Sequence, residues 1–212
     1  MVSMALPYSL IPYKAEIKRK LIHLSSLWMP AVMYFLPAHT AAAIFAVLLV
    51  KVLVFEVVRR QHHALARLAN RIFSPVLRPQ ETGARFRLTG ATFVLLAALL
   101  CSILFPTPVA VTAMSIMLVG DAAASLIGRR YGRTPMLGKT VEGSVAFLMT
   151  SLITIAVIGQ LTHYQQHFYS GALVAAMVAT LTELFSGRLH IDDNLSIPLA
   201  AGGAMWLVTS LL

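Results

Sequence analysis

Acidic residues are scarce in this chain, and several of them lie within or beside long apolar stretches. The 212 residues include only eight Asp and Glu. Asp121 and Glu183 lie inside apolar blocks, where an ionisable side chain is costly and therefore usually functional. Glu142, Asp192 and Asp193 lie just beside such blocks. We expect these five carboxylates to gather around one pocket that faces the cytoplasm.

The segment 120–143, GDAAASLIGRRYGRTPMLGKTVEG, combines carboxylates, glycines and basic residues. Asp121, Ser125 and Gly128 recur at helical spacing and therefore share one helical face. A stripe of small residues that includes Gly128 is also typical of two closely packed helices. The two interpretations are compatible, because a small-residue face lets a ligand approach the backbone.

The same segment continues with a basic cluster and then with the residues that open the next apolar block: Arg129, Arg130, Gly132 and Arg133, then Lys139, Thr140, Glu142 and Gly143. Free N–H groups at a helix start, with Lys and Arg beside them, bind anions. Nearby carboxylates can hold a divalent cation that bridges phosphates. The spacing does not match a Walker P-loop, because position 133 is Arg where that motif needs Gly. The segment therefore predicts a phosphate site of another kind.

Two further polar groups of residues flank this segment along the chain. The triplet Asp192-Asp193-Asn194 offers oxygen ligands that suit Mg²⁺, although a turn or a helix cap explains the same residues. Near the N-terminus, a basic run that ends at Lys20 precedes the first apolar block. Such a run usually sets only the membrane orientation. His23, one turn beyond Lys20 and inside the block, indicates a polar role in addition.

Apolar blocks long enough to cross a bilayer must position these residues. The chain is 58% hydrophobic and 12% charged, whereas a soluble domain has about 25% charged residues. A helix crosses the membrane with about 20 apolar residues. We therefore predict an all-α polytopic transmembrane bundle that forms a single membrane domain over 1–212. Its seven spans are 21–37, 39–58, 88–105, 108–128, 143–161, 168–186 and 196–212.

The distribution of basic residues predicts the orientation of this bundle. Of the 17 Lys and Arg, only Lys51 lies within an apolar block, and the others cluster between alternate blocks. The positive-inside rule then places the N-terminus and the candidate site on the cytoplasmic side of the cell membrane. The longest inner segment, 59–87, has apolar residues at helical spacing among arginines, which predicts an amphipathic helix at the membrane interface. Membrane orientation thus explains the net charge of +9 without nucleic acid as a partner.

Two non-enzymatic functions fit the residues less well. A transporter places polar residues near the bilayer midplane on several spans, whereas here the charges crowd one side. A membrane scaffold has no need of Asp121, Lys139, Glu142 and Asp193 together. The pattern favours an enzyme.

In this order, the three polar groups of residues resemble the CTP-dependent lipid kinases, a family that includes dolichol kinase, phytol kinase and CTP-dependent diacylglycerol kinase. The likeness covers about 16–200 and rests on these residues: Glu16, Lys18, Arg19, Lys20 and His23; Arg87, Thr89 and Gly90; Gly120, Asp121, Gly128, Gly132, Gly138, Lys139, Thr140, Glu142 and Gly143; Glu183, Asp193, Asn194, Ile197, Pro198 and Leu199.

The resemblance implies transfer of the γ-phosphoryl group of CTP, with Mg²⁺ as the cation, to the hydroxyl of a membrane lipid alcohol. That alcohol is a polyprenol or dolichol, a phytol-like alcohol or a diacylglycerol. The implied roles of the carboxylates are Asp121 and Glu142 near Mg²⁺, and Glu183 or Asp193 near the lipid hydroxyl. The other residues that it places at nucleotide or lipid are Lys20, His23, Gly128, Arg129, Gly132, Lys139, Thr140, Gly143 and Asn194.

Phosphatidate cytidylyltransferases carry a motif related to the central segment. An enzyme that makes a CDP-lipid needs the same cation and the same phosphate contacts, so the central motif alone leaves this alternative open. The two flanking groups of residues favour the kinases. The sequence also leaves open which lipid alcohol is used and the oligomeric state.

Overall fold

The computed structural model describes residues 12–61, 88–162, 166–189 and 191–212. These residues form helices and one short hairpin, in the order α1 (Tyr13–Ser25), α2 (Trp28–Phe35), α3 (Ala38–Gln61), α4 (Gly90–Leu104), α5 (Thr107–Tyr131), β1 (Pro135–Met136), β2 (Lys139–Thr140), α6 (Val141–Thr162), α7 (Gln166–Leu189) and α8 (Asp193–Leu211). The predicted all-α fold is confirmed. The interfacial helix predicted in 59–87 lies almost wholly outside the described residues.

Five of these helices are long and apolar enough to cross a membrane. Their spans are Ala38–Arg59, Thr107–Tyr131, Val141–Thr162, His167–Gly187 and Asp193–Leu211. The shorter helix α4 is also apolar. Together, α3 to α8 correspond to the last six predicted spans, and the cytoplasmic position of the N-terminus stays a prediction.

The first predicted span, 21–37, does not form one helix. Helix α1 ends at Ser25, and the chain turns before the eight-residue helix α2 begins at Trp28. Pro30 explains the break, because its ring would collide with the carbonyl of Ser26 in a continuous helix. In the first turn of a new helix Pro30 is tolerated. Helix α1 is thereby free to follow a direction of its own, and it packs on α5.

Helix α5 is the centre of the bundle. It contacts α1, α2, α4, α6, α7 and α8, and 67% of its apolar span is buried inside the protein. Small residues permit this close packing: a Cβ at Gly120 would lie 2.8 Å from the ring of Phe147 on α6. Helix α3 lies at the periphery on α4, with only 17% of its span buried.

The hairpin between α5 and α6 was not predicted from the sequence. Its two strands pair Pro135 with Thr140 and Met136 with Lys139. The two turn residues, Leu137 and Gly138, have φ values of 53° and 85°, as a type I′ turn requires. Gly138 adopts this conformation without steric cost. The hairpin fixes the position of Lys139 directly before α6.

Candidate active site

Helix α1 brings a lysine and a histidine to the carboxylate of Asp121 on α5. Lys20 Nζ lies 2.5 Å from Asp121 Oδ2, and His23 Nε2 lies 3.4 Å from the same oxygen. Lys20 and His23 are one turn apart on α1, so both side chains reach the same side of α5. Burial lowers the pKa of Lys20, and the Asp121 carboxylate offsets only part of that effect, so the pKa stays below its usual value. The N-terminal basic run is therefore part of a polar site.

Glu16 fastens α1 to α5 one turn earlier. Its carboxylate accepts hydrogen bonds from Ser125 Oγ at 2.5 Å and from Arg129 Nη1 at 3.1 Å, both on α5. Arg19 donates to both oxygens of Glu16 from the next turn of α1. Burial alone would raise the pKa of Glu16. The hydrogen bond and charge of Arg19, the hydrogen bond from the Ser125 hydroxyl and the charge of Lys20 together lower it by more, so the net pKa lies below the usual value. Glu16 thus holds two guanidinium groups at the edge of the site.

The second half of the site is the hairpin cluster, which consists of Lys139, Glu183, Ser186 and Asp193. Lys139 Nζ lies 2.7 Å from Glu183 Oε1, 3.1 Å from Ser186 Oγ and 3.2 Å from Asp193 Oδ2. Ser144 Oγ on α6 donates to the other Glu183 oxygen at 3.3 Å. The cluster thus joins the hairpin to the end of α7 and the start of α8.

Electrostatics connects this cluster with Asp121. Burial lowers the pKa of Lys139, but the charges of Asp193, Glu183 and Asp121 raise it, and the net pKa lies above the usual value. Lys139 is therefore a firmly charged cation with several carboxylates around it. Of the five carboxylates expected to gather, Asp193, Glu183 and Asp121 lie near enough for their charges to act on Lys139. A pocket that faces the cytoplasm stays a prediction.

Four predicted ligand contacts, Gly128, Gly132, Thr140 and Gly143, form close packing between α5, the hairpin and α6. A Cβ at Gly128 would lie 2.8 Å from Thr140 Oγ1 and 3.3 Å from Gly143 Cα. A Cβ at Gly132 would lie 2.6 Å from Thr140 Cγ2. Thr140 Oγ1 also accepts the N–H of Gly143 at 3.2 Å, which caps the start of α6. These residues hold Lys139 in place, and their direct contact with a nucleotide stays a prediction.

Glu142 lies apart from the other carboxylates. Its side chain accepts hydrogen bonds from the backbone N–H of Thr134 at 3.1 and 3.3 Å and from the Thr134 hydroxyl at 3.1 Å. None of these bonds reaches Asp121. Glu142 thus ties the base of the hairpin to the first turn of α6, and its role as a Mg²⁺ ligand stays a prediction.

Asp192 and Asn194 shape the start of α8. Asp192 Oδ1 accepts from the backbone N–H of Asn194 at 3.0 Å and from its Nδ2 at 2.7 Å. This is an N-terminal cap, the alternative that the sequence had offered for the triplet. Asn194 is buried, and a Cβ at Gly90 would lie 3.4 Å from its Nδ2. The cap directs Asp193 toward Lys139 and packs the start of α4 against the start of α8.

A Mg²⁺ ion that bridges a nucleotide's phosphates suits the charges of this site. Among the described residues, no group of three or more His, Cys, Asp or Glu is placed to hold a metal by itself. Mg²⁺ characteristically takes one or two carboxylates together with phosphate and water oxygens. Asp121 and Asp193 are partly accessible, with 15% and 26% of their side chains exposed. Asp121 and Asp193 are therefore candidates for that role, and the expected pair of Asp121 and Glu142 stays a prediction.

Three serines of the site were missed as site residues. Ser144 and Ser186 are buried and bind Glu183 and Lys139. Neither stands out in an apolar helix, because serines there often bond their own backbone. The sequence indicates Ser125 only through its helical spacing from Asp121. Glu16 is indicated only through the family resemblance.

Comparisons with known proteins give three informative matches. The chain is 30% identical to the uncharacterized protein RP860 of Rickettsia prowazekii over 185 residues, which are 87% of this chain and 90% of that protein. It is 35% identical to dolichol kinase of Saccharomyces cerevisiae over 82 residues, 38% of this chain and 16% of that kinase. It is 29% identical to phytol kinase 1, chloroplastic, of Arabidopsis thaliana over 140 residues, 60% of this chain and 46% of that kinase.

The chain thus spans less than half the length of the two kinases. No family model matches it, and no solved structure matches it either.

Proposed function

The chain belongs to the same family as the Rickettsia prowazekii protein RP860 and is a homologue of dolichol and phytol kinases, and from this premise we propose that it is a lipid kinase that transfers the γ-phosphoryl group of CTP to the hydroxyl of a membrane lipid alcohol. Dolichol-like polyprenols, phytol-like alcohols and diacylglycerol are the candidate acceptors. The reaction takes place at the cytoplasmic face of the cell membrane.

One observation carries this proposal: Lys139 meets Glu183 and Asp193 beside the pair Lys20–Asp121. Segments that are more than 100 residues apart, from α1 and α5, thus meet near residues from the hairpin, α7 and α8. Cations and carboxylates that alternate at one end of an apolar bundle suit a polyanionic donor and a neutral, membrane-bound acceptor. Phosphoryl transfer needs little more from a protein than such positioning and charge.

The lysines and arginines take the donor in this mechanism. In the structure, Lys20 and Lys139 bind carboxylate oxygens. A bound triphosphate would offer each lysine phosphate oxygens as alternative partners. Arg129, held by Glu16, adds a planar guanidinium at the edge of the same site. Mg²⁺, when bound with the nucleotide, neutralises charge that develops on the phosphate oxygens. Asp121 and Asp193 would hold it.

The acceptor hydroxyl needs a group that orients it and takes its proton. Glu183 and Asp193 are the candidates, because both carboxylates adjoin the cation that would hold the γ-phosphate. The hydroxyl proton passes to one of these two carboxylates as the lipid oxygen forms its bond to phosphorus. The bond between the γ-phosphorus and the bridging oxygen breaks, and CDP leaves.

The purified full chain in lipid nanodiscs tests the proposal. We expect radioactivity from γ-³²P-labelled CTP to enter the organic phase when dolichol, phytol or diacylglycerol is present. The variant Lys139→Ala should abolish this transfer, and Lys51→Met should retain it, because Lys51 is an exposed residue of α3, which supplies none of the side chains of the candidate site. Absence of labelled lipid with every acceptor would reject the proposed function.

A further inference from the structure

Glu183 and Asp193 share the cation of Lys139 but differ in burial and in depth. Glu183 has 6% of its side chain exposed, and Asp193 has 26%. Asp193 is the first residue of its apolar span, whereas Glu183 lies four residues inside the end of its own span. Four residues of helix correspond to about 6 Å. Glu183 therefore lies farther toward the hydrocarbon, and Asp193 lies nearer to water.

This difference in depth suits the two different reactants. A Mg²⁺ ion takes water and phosphate oxygens as its other ligands, which favours the more accessible Asp193. The hydroxyl of a lipid alcohol is attached to a chain that stays in the bilayer, which favours the deeper Glu183. Of the two carboxylates that are candidates for the hydroxyl proton, Glu183 is thus the better placed.

The two oxygens of Glu183 are held unequally. Oε1 accepts from Lys139 Nζ at 2.7 Å, whereas Oε2 accepts from Ser144 Oγ at 3.3 Å. The second distance is longer than the ~2.7 Å that is typical of a hydroxyl bonded to an oxygen. Each oxygen of a carboxylate can accept from more than one donor. Oε2 can therefore accept a further hydrogen bond while Oε1 stays on the lysine.

Ser144 is the residue that orients Oε2. It is buried in the first turn of α6, directly after the residues that open this helix. Its hydroxyl bonds a side chain of α7, whereas the hydroxyls of Thr150 and Ser151 in the same helix bond their own backbone. A hydroxyl can donate to a carboxylate and accept from a carboxyl group. Ser144 can therefore hold Glu183 in place both before and after a proton arrives.

We propose that Oε2 of Glu183 takes the proton of the lipid hydroxyl, and that Ser144 is the positioning residue that orients this carboxylate. This inference rests on the proposed function and assigns two roles within its site. The O–H bond of the alcohol breaks as its oxygen bonds to the γ-phosphorus of CTP, and the bond from that phosphorus to the bridging oxygen breaks. CDP leaves, and Glu183 remains as a neutral carboxyl group that then releases its proton to water.

Substitutions of Ser144 test the proposal in the purified chain in nanodiscs. The assay uses γ-³²P-labelled CTP and whichever of dolichol, phytol or diacylglycerol the wild type phosphorylates. Ser144→Ala should lower kcat about tenfold, because the carboxylate loses a donor that orients it. The KM of CTP and the KM of the alcohol should stay within about twofold of the wild type, since the proposed role of Ser144 is exerted through Glu183. Ser144→Thr keeps the hydroxyl and should retain kcat within about threefold.

Ser151→Ala is the matched control. Ser151 is a fully buried serine two turns after Ser144 on the same face of α6, and its hydroxyl donates to Phe147 O at 2.8 Å. The substitution removes the same group from the same helix without removing a donor to a carboxylate. We expect kcat to be unchanged.

A double-mutant cycle separates an action through Glu183 from a general effect on structure. Glu183→Gln should lower kcat at least about 100-fold, as for the loss of a general base. In that background Ser144→Ala should change kcat by less than about twofold, because the base that Ser144 orients is already lost. In an Asp193→Asn background Ser144→Ala should still lower kcat about tenfold.

The inference is wrong if Ser144→Ala keeps the kcat of the wild type, or if its loss of kcat persists in the Glu183→Gln background. It is also wrong if Ser144→Thr loses as much activity as Ser144→Ala and both unfold at a lower temperature, because packing would then be the cause. In these cases the wild type still phosphorylates the alcohol, and the proposed function stands. A wild type that phosphorylates no alcohol rejects the proposed function itself, and this inference with it.

Discussion

Lys20 and Asp121 are 101 residues apart in the sequence, and Lys20 Nζ lies 2.5 Å from Asp121 Oδ2. This pair joins the first helix to the central one; Lys20 is buried and Asp121 is largely buried, with 2% and 15% of their side chains exposed. Removal of one partner from a buried pair typically costs about 3–5 kcal/mol. The N-terminal helix α1 is therefore a wall of the candidate active site, in addition to its predicted role in orienting the chain in the membrane.

Two replacements of Lys139 should show whether its charge is what the hairpin cluster needs for activity. Lys139→Met leaves Glu183 and Asp193 close together without a cation, so we expect at least about a 100-fold loss of kcat/KM, as for loss of one preorganised donor in other enzymes. Lys139→Arg should retain part of the activity because it keeps the charge. Steady-state kinetics with CTP measures both effects. Activity of Lys139→Met within threefold of wild type would contradict the proposed site.

Substitutions of Asp121 and of Glu142 should affect the Mg²⁺ requirement differently. Asp121→Asn should raise the Mg²⁺ concentration for half-maximal activity about tenfold or more, because Asp121 contacts Lys20 and its charge acts on Lys139, both proposed to bind the triphosphate. Glu142→Gln should leave that concentration nearly unchanged and lower the unfolding temperature slightly, because Glu142 ties the hairpin through Thr134. A Mg²⁺ titration of both variants decides between these roles. The reverse result would restore Glu142 as the metal ligand.

Acid should destabilise the contact between α1 and α5 through Glu16. Its pKa is lowered in the folded protein, so its stabilising contribution is present above the usual pKa of 4.5 and is lost as the pH falls through the folded-state value. We expect the unfolding temperature of the wild type to fall more steeply between about pH 5 and pH 3 than that of Glu16→Gln. At pH 7 the variant should already be less stable by about 1–3 kcal/mol. Parallel curves for the two proteins would show that Glu16 does not contribute in this way.

The glycine contacts around Thr140 predict a sharp difference between two similar substitutions. Gly128→Ala places a Cβ 2.8 Å from Thr140 Oγ1 and 3.3 Å from the backbone of Gly143, which should cost about 1–3 kcal/mol and shift the hairpin. Gly203→Ala is the control, since no atom lies within 4 Å of its added Cβ. It should be neutral or slightly stabilising in its helix. Thermal unfolding in detergent measures both, and equal midpoints would contradict the packing described.

The helices whose length is determined by the thickness of the bilayer could be predicted from the sequence. The parts that depend on local backbone geometry could be predicted less well. Blocks of about 20 apolar residues predict α3 and α5 to α8 because the bilayer requires that length. The break before α2 depends on one proline and its collision with Ser26, which a count of apolar residues ignores. The hairpin depends on the positive φ angles of Leu137 and Gly138. In the sequence, the single dipeptide Gly138-Lys139 is only a weak sign of such a turn.

The same distinction holds for the site. Asp121, Lys139, Glu183 and Asp193 could be predicted because charges are rare beside apolar blocks. Their partners could not, because contacts such as Lys139–Ser186 depend on how α7 meets the hairpin. Glu142 looked equivalent to Asp121 by residue type and position, but helix geometry directs it to Thr134.

Transfer of phosphorus from CTP tests the central claim most directly. The purified chain in nanodiscs is incubated with an accepted lipid alcohol and CTP that carries ³²P at either the γ or the α position. The account predicts that only the γ label enters the lipid, with CDP as the other product. Entry of the α label into lipid would contradict it and would identify the chain as a cytidylyltransferase.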